Sequence, residues 1–273
     1  MDVELQDVHF AYPGGPPVLD GVGLRIPSGR SVALMGPNGS GKTTLARHLD
    51  GLLRPTRGRV LLDGRDITGR RVADLAASVA VGFQDPDRQV FSRRVRDEVA
   101  FGPRQLGFSA ERRDAAVAAA LDATGLADDI DVHPHDLGRA RRKLLAIASL
   151  LAMQTPVLVL DEPTVGLGAA GVTRVQRIVA QLVAEGRTVI AISHESRFVA
   201  ESFERVVLLA QGRVVMDGSP ADVFAEASWP LVRSAGLEPP AAAILGARLG
   251  LGSTPTEAAL LASAAAAGRA RVP

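Results

Sequence analysis

Apolar positions change period several times along this chain, and the changes mark out alternating strands and helices. Val3 to Phe10 and Val32 to Met35 read as strands, the second an unbroken apolar run. Between that run and a predicted helix over Lys42 to Leu53 lies a glycine-rich loop, Gly36 to Gly41. Short strand signals follow at Arg59 to Leu62 and Val79 to Phe83. From Phe91 to Thr124 the pattern turns helical; Ser109 is placed to cap an alanine-rich run, and Glu111 suits its first turn. Leu137 to Met153 predicts another helix. Buried strands are expected at Val157 to Leu160 and Thr188 to Ile192, with a helix over Gly171 to Glu185 between them.

Runs of Val, Leu and Ile between helices predict an α/β fold with a mixed, mostly parallel sheet covered on both faces. The early strands, within Val3 to Ile26, are expected to be antiparallel. After about Ala227 the sequence is rich in Ala, Gly and Pro with short helical stretches. That composition predicts a small C-terminal helical appendage over 227–273, fraying from about Ala267.

Composition narrows the possibilities. At 273 residues and 47% hydrophobic content the chain can bury one large domain plus an appendage. A formal net charge of +1 gives no general pull toward nucleic acid. Cysteine is absent, which excludes a disulfide framework and fits a reducing compartment. Met1-Asp2-Val3-Glu4 lacks the basic and apolar regions of a secretory leader. The best candidate span, Leu144 to Met153, stops at Gln154-Thr155-Pro156, short of the roughly 20 apolar residues a bilayer requires. The expectation is a soluble chain that meets a membrane only through a partner.

Candidate chemistry begins at Gly36-Pro-Asn-Gly-Ser-Gly-Lys-Thr43, a phosphate-binding loop pattern in its proper strand–loop–helix setting. Glycines let backbone N–H groups converge on phosphate oxygens, and the following helix start favours anions. Lys42 is placed to reach the β- and γ-phosphates, and Thr43 to ligate Mg²⁺. Lys42 and Lys143 are the only lysines in a chain rich in arginine. A compact ammonium fits between phosphates where a planar guanidinium does not. Val157-Leu-Val-Leu-Asp161-Glu162-Pro163 ends an apolar strand in two carboxylates. The first, Asp161, suits Mg²⁺, and the second, Glu162, suits a general base for the attacking water.

Further segments resemble the ABC ATPase family. Phe83-Gln84-Asp85-Pro86 is similar to its Q-loop, and Ile192-Ser193-His194-Glu195 to its switch segment. Tyr12, in Phe10-Ala-Tyr-Pro-Gly-Gly, matches its adenine-stacking aromatic. The resemblance implies that ATP is held by Tyr12 and by Gly36, Pro37, Asn38, Gly39, Ser40, Gly41, Lys42, Thr43 and Thr44. It also implies Mg²⁺ contacts from Thr43, Gln84 and Asp161, and catalytic roles for Lys42, Gln84, Glu162 and His194. The implied fold is a P-loop NTPase core over 1–226 with an antiparallel β subdomain and a helical subdomain at about 86–153.

Within the family the chain is most similar to the energy-coupling factor ATPases, which include cobalt and vitamin importers. Phe10-Ala-Tyr-Pro-Gly-Gly-Pro-Pro-Val-Leu, Gln84-Asp-Pro-Asp-Arg-Gln-Val-Phe91 and Val99-Ala-Phe-Gly-Pro-Arg-Gln-Leu-Gly107 carry that likeness. It implies a peripheral ATPase at the cytoplasmic face of the cell membrane. Its partners would be a second ATPase subunit, a transmembrane coupling protein and a membrane-embedded substrate-binding subunit. The coupling protein would insert a helix into a groove near Gln84 to Phe101, for which Phe91, Val95, Val99 and Phe101 are candidate linings or, equally, core residues.

Two segments depart from the pattern. Where the family's signature helix begins Leu-Ser-Gly-Gly-Gln, this chain has Leu137-Gly138-Arg139-Ala140-Arg141, which lacks the hydroxyl and adds bulk. Arg139 or Arg141 could still neutralise phosphate charge. Thr164-Val-Gly-Leu-Gly168 carries Gly168 where the family carries aspartate. Elements that bind ATP in cis look intact and those offered in trans do not. A heterodimer is therefore expected, with a paralogous partner of intact signature; the alternative reading of the changed signature is tolerated drift in a homodimer or a declining paralogue. The alternatives are a regulatory nucleotide binder with little turnover and a soluble ABC ATPase acting on ribosomes or DNA. Aromatic content of only 4% counts against a nucleic-acid surface.

Overall fold

The computed structural model describes residues 1–269. Its strands in chain order are β1 (Val3–Ala11), β2 (Pro17–Ile26), β3 (Ser31–Met35), β4 (Arg57–Leu62), β5 (Arg65–Asp66), β6 (Val79–Gly82), β7 (Val157–Asp161), β8 (Thr188–Ile192), β9 (Arg205–Ala210) and β10 (Arg213–Gly218). They form an antiparallel sheet ordered β2-β1-β4-β5 and a second sheet ordered β10-β9-β3-β8-β7-β6. All pairs in the second sheet are parallel except the edge hairpin β9–β10.

The helices are α1 (Lys42–Leu49), α2 (Val72–Leu75), α3 (Val95–Gln105), α4 (Ala110–Thr124), α5 (Arg139–Ala152), α6 (Ala169–Ala184), α7 (Ser196–Ser202), α8 (Pro220–Val223), α9 (Trp229–Ser234), α10 (Ala241–Arg248) and α11 (Glu257–Arg269). Side-chain alternation in the parallel sheet builds two cores. Leu158 and Leu160 face a core shared with α3 to α7, whereas Val157 and Val159 face one shared with β1, β2 and α1.

Register positions the chemistry. Leu34 of β3 and Asp161 of β7 both pair with Ile192 of β8, and Gly82 of β6 pairs with Leu160. The loops after β3, β6, β7 and β8 therefore leave one edge of the sheet together, where open α/β sheets bind ligands.

Several expected elements have different limits. The helix from Lys42 ends at Leu49, not Leu53, because Gly51 takes φ 75° and the Leu52 N–H donates to the Asp50 carboxylate at 2.9 Å. The helical stretch from Phe91 to Thr124 is two helices broken at Gly107, where φ is 74°. Phe91 to Arg94 stays outside them: the N–H groups of Phe91 and Ser92 donate to the buried Glu98 carboxylate at 3.0 and 2.7 Å. Strands β9 and β10 were not anticipated, although Gln211-Gly212 between apolar runs, with φ of 49° and 74°, is a hairpin turn signal. Beyond residue 227 the described chain is helical in three pieces, and the start of the expected fraying, at about Ala267, falls on the last turn of α11. The remainder of the expected fraying lies outside the described residues. Among the described residues no helix is long and apolar enough to cross a membrane.

Ser109 caps α4 as expected, its hydroxyl accepting from the Arg112 N–H. Ser109→Ala should lower stability by about 1 kcal/mol in urea unfolding, with the m-value unchanged.

Candidate active site

The loop between β3 and α1 is held open by close backbone approach. Gly36 has φ 144°, and a Cβ there would lie 2.0 Å from the Leu209 carbonyl oxygen, so no other residue fits. Gly41, with φ 102°, is pressed against Val18 and Leu19 in the same way. Lys42, at the first position of α1, folds its ammonium back over the loop. It donates to the carbonyls of Gly36 and Pro37, both at 2.8 Å, and to Ser40 Oγ at 3.3 Å. These are groups that an incoming polyanion would replace as partners.

Opposite the loop, the end of β7 supplies two buried carboxylates. Asp161 Oδ2 accepts from the Thr43 hydroxyl at 3.0 Å. Glu162 stands in the left-handed region at φ 49°, a strained conformation for a side chain of this kind, and His194 Nδ1 donates to its Oε1 at 2.8 Å. Its Oε2 is buried and has no hydrogen-bond partner among the described residues. A water molecule delivered to that oxygen would complete it.

A cleft of ≈ 350 Å³ joins these groups; Tyr12, Gly36, Asn38, Gly39, Gly41, Lys42, Thr43, Thr44, Gln84, Asp161, Glu162 and His194 line it. Tyr12 stands at its mouth, 40% exposed, with its hydroxyl 3.3 Å from Thr44 Oγ1 and its ring edge-on to Phe10. Pro37 and Ser40 support the loop through their bonds to Lys42. The expected cis residues thus converge on one site. Leu137 to Arg141 do not line it: they form the start of α5, with Gly138 as an N-cap that has no side-chain bond. Arg141 pairs with Asp129, while Arg139 makes no hydrogen bond or ion pair among the described residues. Gly168 likewise begins α6 without a side-chain cap.

Electrostatics match the geometry. Burial lowers the Lys42 pKa against the pull of Glu162 and Asp161. Burial raises the Asp161 pKa, opposed by the Thr43 hydroxyl, Lys143 and Lys42. Thr43 hydroxyl, Asp161 carboxylate and Gln84 amide are all oxygen donors, the set a hard divalent cation takes. Among the described residues no three His, Cys, Asp or Glu side chains converge on a metal site, so such a cation would need oxygens from a bound phosphate as well. One residue of this neighbourhood escaped the sequence reading. Lys143, buried on α5, donates to the carbonyls of Gln84 at 2.7 Å and Asp161 at 3.3 Å. Its rarity as a lysine was the available signal.

Of the four groove candidates, Val95 and Val99 are fully buried core residues. Phe91 and Phe101 remain at the surface, 63% and 41% exposed, their rings edge-to-face at 4.9 Å.

The linkage of Asp161 gives a test. With its folded pKa raised above the ordinary 3.8, its favourable contribution is complete below that pH and is lost as pH rises through the elevated value. Asp161→Asn should therefore raise the thermal midpoint of the nucleotide-free chain at pH 7, and the gain should vanish as pH is lowered to about 4. Equal midpoints at pH 7 would mean that burial does not penalise the charged carboxylate.

Comparison with known proteins identifies the family. The profile of the family described as ABC transporter matches residues 19–165. The chain is 39% identical over 249 residues to the energy-coupling factor transporter ATP-binding protein EcfA of Methanothermobacter thermautotrophicus, covering 90% of this chain and 79% of that protein. It is 38% identical to EcfA of Methanocaldococcus jannaschii, covering 89% and 87%. The solved structure of CbiO1 from Clostridium perfringens, part of the ABC transporter complex CbiONQ, superposes with a TM-score of 0.76 at 34% identity, covering 85% of this chain and 93% of that one.

Proposed function

The chain belongs to the ABC transporter family, and from that premise we propose that it is the ATP-hydrolysing subunit of an energy-coupling factor importer for a vitamin or transition-metal ion. The observation that carries this reading is the single cleft that gathers Tyr12, Lys42, Thr43, Gln84, Asp161, Glu162 and His194 at one sheet edge.

In this reading the loop amides of 36–44 and the α1 start cradle the triphosphate, and Tyr12 offers its exposed ring to adenine. Lys42 exchanges its carbonyl partners for β- and γ-phosphate oxygens. Mg²⁺, held by Thr43, Asp161 and Gln84, would neutralise charge on those phosphates. Glu162 Oε2, the orphaned oxygen, accepts the proton of the water that attacks the γ-phosphorus as the bond to the β-phosphate oxygen breaks. His194 donates from Nδ1 to Oε1, which keeps Oε2 directed at the water, and with both ring nitrogens protonated its Nε2–H would donate to the terminal phosphate.

The partners follow from what the chain offers outside the cleft. The exposed Phe91–Phe101 pair supports docking of an apolar helix from a transmembrane coupling protein. Cargo is selected by a membrane-embedded binding subunit, and the chain sits peripherally at the cytoplasmic face. A heterodimer is favoured by the start of α5, where a hydroxyl cap is missing and Arg139, Arg141 and Arg142 crowd the first turn. A paralogue with an intact signature would complete the site built on Lys42 and Glu162. The changed Leu137–Arg141 segment would face a weaker site on that paralogue.

Two measurements test this. Glu162→Gln should reduce ATP hydrolysis by about 100-fold or more while ATP binding persists; undiminished hydrolysis removes Glu162 from the base role. Hydrolysis by the purified chain should be slow and rise on mixing with its paralogue. If the chain alone matches every mixture, the unequal pairing is wrong; if every mixture stays inert while ATP binds, a regulatory role replaces the motor.

A further inference from the structure

We propose that Lys143 is a positioning residue of the cleft, its buried ammonium tying helix α5 to the Gln84 loop and to the end of β7 so that the three move as one body. The proposal rests on the function proposed above and extends it to a residue for which the hydrolytic chemistry has no direct use.

The charge of a lysine that is only 5% exposed needs compensation, since burial of a charge without partners is strongly unfavourable. Packing gives no reason to keep it. The void beside it is about 10 Å³ and is bounded by Phe83, Ile147, Leu150 and Leu160 as well as Gln89 and Asp161, so an apolar chain of the same length would fit sterically but would leave the Gln84 and Asp161 carbonyls without their donor. A guanidinium would overfill that space. The chain has 31 lysines and arginines and only two are lysines, leaving 29 arginines. Both lysines adjoin the same acid pair: Asp161 and Glu162 exert attractive charge on Lys42 from the loop side and on Lys143 from the α5 side.

Two further links, one from Gln89 to α5 and one from Arg142 on α5, reinforce the tie. Gln89 accepts from the Phe83 N–H at 3.3 Å and donates to the Ala146 carbonyl at 3.1 Å, and Arg142 lies 2.9 Å from the Asp87 carboxylate. These bind α5 to the segment 83–89, but only Lys143 also reaches Asp161. Arg139, at the first position of α5, lies one helical turn from Lys143. A displacement of the α5 start by a partner's nucleotide would therefore reach the carbonyl of Gln84 and the strand end that carries Asp161 and Glu162 through a rigid turn of helix. Lys143 thus connects what this subunit offers in trans to what it hydrolyses in cis.

The test uses the full chain with ATP and Mg²⁺, read by amide hydrogen exchange and by steady-state hydrolysis with the paralogue. In the wild type, ATP should protect residues 36–44, 83–90 and 139–146 together. Lys143→Met, which keeps the length and removes the donor, should leave protection at 36–44 and the KM for ATP within about twofold. It should abolish the added protection at 83–90 and 139–146 and lower kcat about tenfold. Lys143→Gln, which restores an N–H donor, should recover part of the lost rate. A Lys143→Met chain with kcat within about twofold of wild type, or with protection intact at both segments, overturns the proposal; so does Lys143→Gln no better than Lys143→Met. If Lys143→Met is too unstable to assay, the wild type decides: segments 83–90 and 139–146 must gain protection along the same ATP titration, and separate titrations overturn the tie. Absence of ATP protection at 36–44 in the wild type is a different failure, that of the nucleotide-binding reading itself.

Discussion

Two ammonium groups and two carboxylates are withdrawn from water at the same edge of the parallel sheet, and the rest of the site is arranged around their balance. Asp161 ends β7 and Glu162 follows it, Lys42 opens α1, and Lys143 comes from α5. Each would be costly to bury alone. Together they are held by short bonds: Lys42 to Gly36 and Pro37, Asp161 to Thr43, Glu162 to His194, and Lys143 to Gln84 and Asp161. The set leaves one carboxylate oxygen of Glu162 without a partner, and Lys42 rests on carbonyls it can release. In the proposed reading, a site balanced in this way would accept a polyanion with a divalent cation more readily than either alone, because each neutralises the charge that the other introduces.

Register does the work of assembly. Asp161 and Leu34 meet across Ile192, so the carboxylates and the glycine loop are neighbours by strand pairing before any side chain packs. Gly36 could not be otherwise with the Leu209 carbonyl where its Cβ would be. The antiparallel sheet contributes Tyr12 at the end of β1 and Val18 against Gly41, forming the wall of the cleft away from the helices.

The cis half of this site was legible in the sequence because its chemistry is local. Gly36 to Thr44 is a contiguous loop, and Asp161-Glu162 sits at the end of one apolar strand, so residue type and order are enough to place them. What depends on contacts between distant segments was not. Val95 and Val99 share an apolar pattern with Phe91 and Phe101, and only packing against α4 and α5 separates core from surface. Glu98 reads as an ordinary helical acid, yet it is buried and holds the N–H groups of Phe91 and Ser92, which ends the expected helix early. Lys143 stood out by composition alone. Its partners are backbone carbonyls 59 and 18 residues away, which no pattern of side chains reveals.

The start of α5 is the remaining asymmetry. A helix N-terminus carries partial positive charge, and acidic residues are favoured there. This helix has none in its first turn and has Arg139, Arg141 and Arg142 instead. Asp129 absorbs Arg141 and Asp87 absorbs Arg142, both from within the chain, which relieves much of the repulsion. Arg139 is left exposed with the helix dipole behind it. Under the proposed pairing, a surface of that kind would attract the partner's nucleotide by charge and by uncapped amides but without the hydroxyl that helps fix geometry, which would favour occupancy over alignment. Binding that holds a phosphate without orienting it lowers the free energy of ground state and transition state alike, so in that pairing the α5 start would contribute to retention of nucleotide rather than to its cleavage.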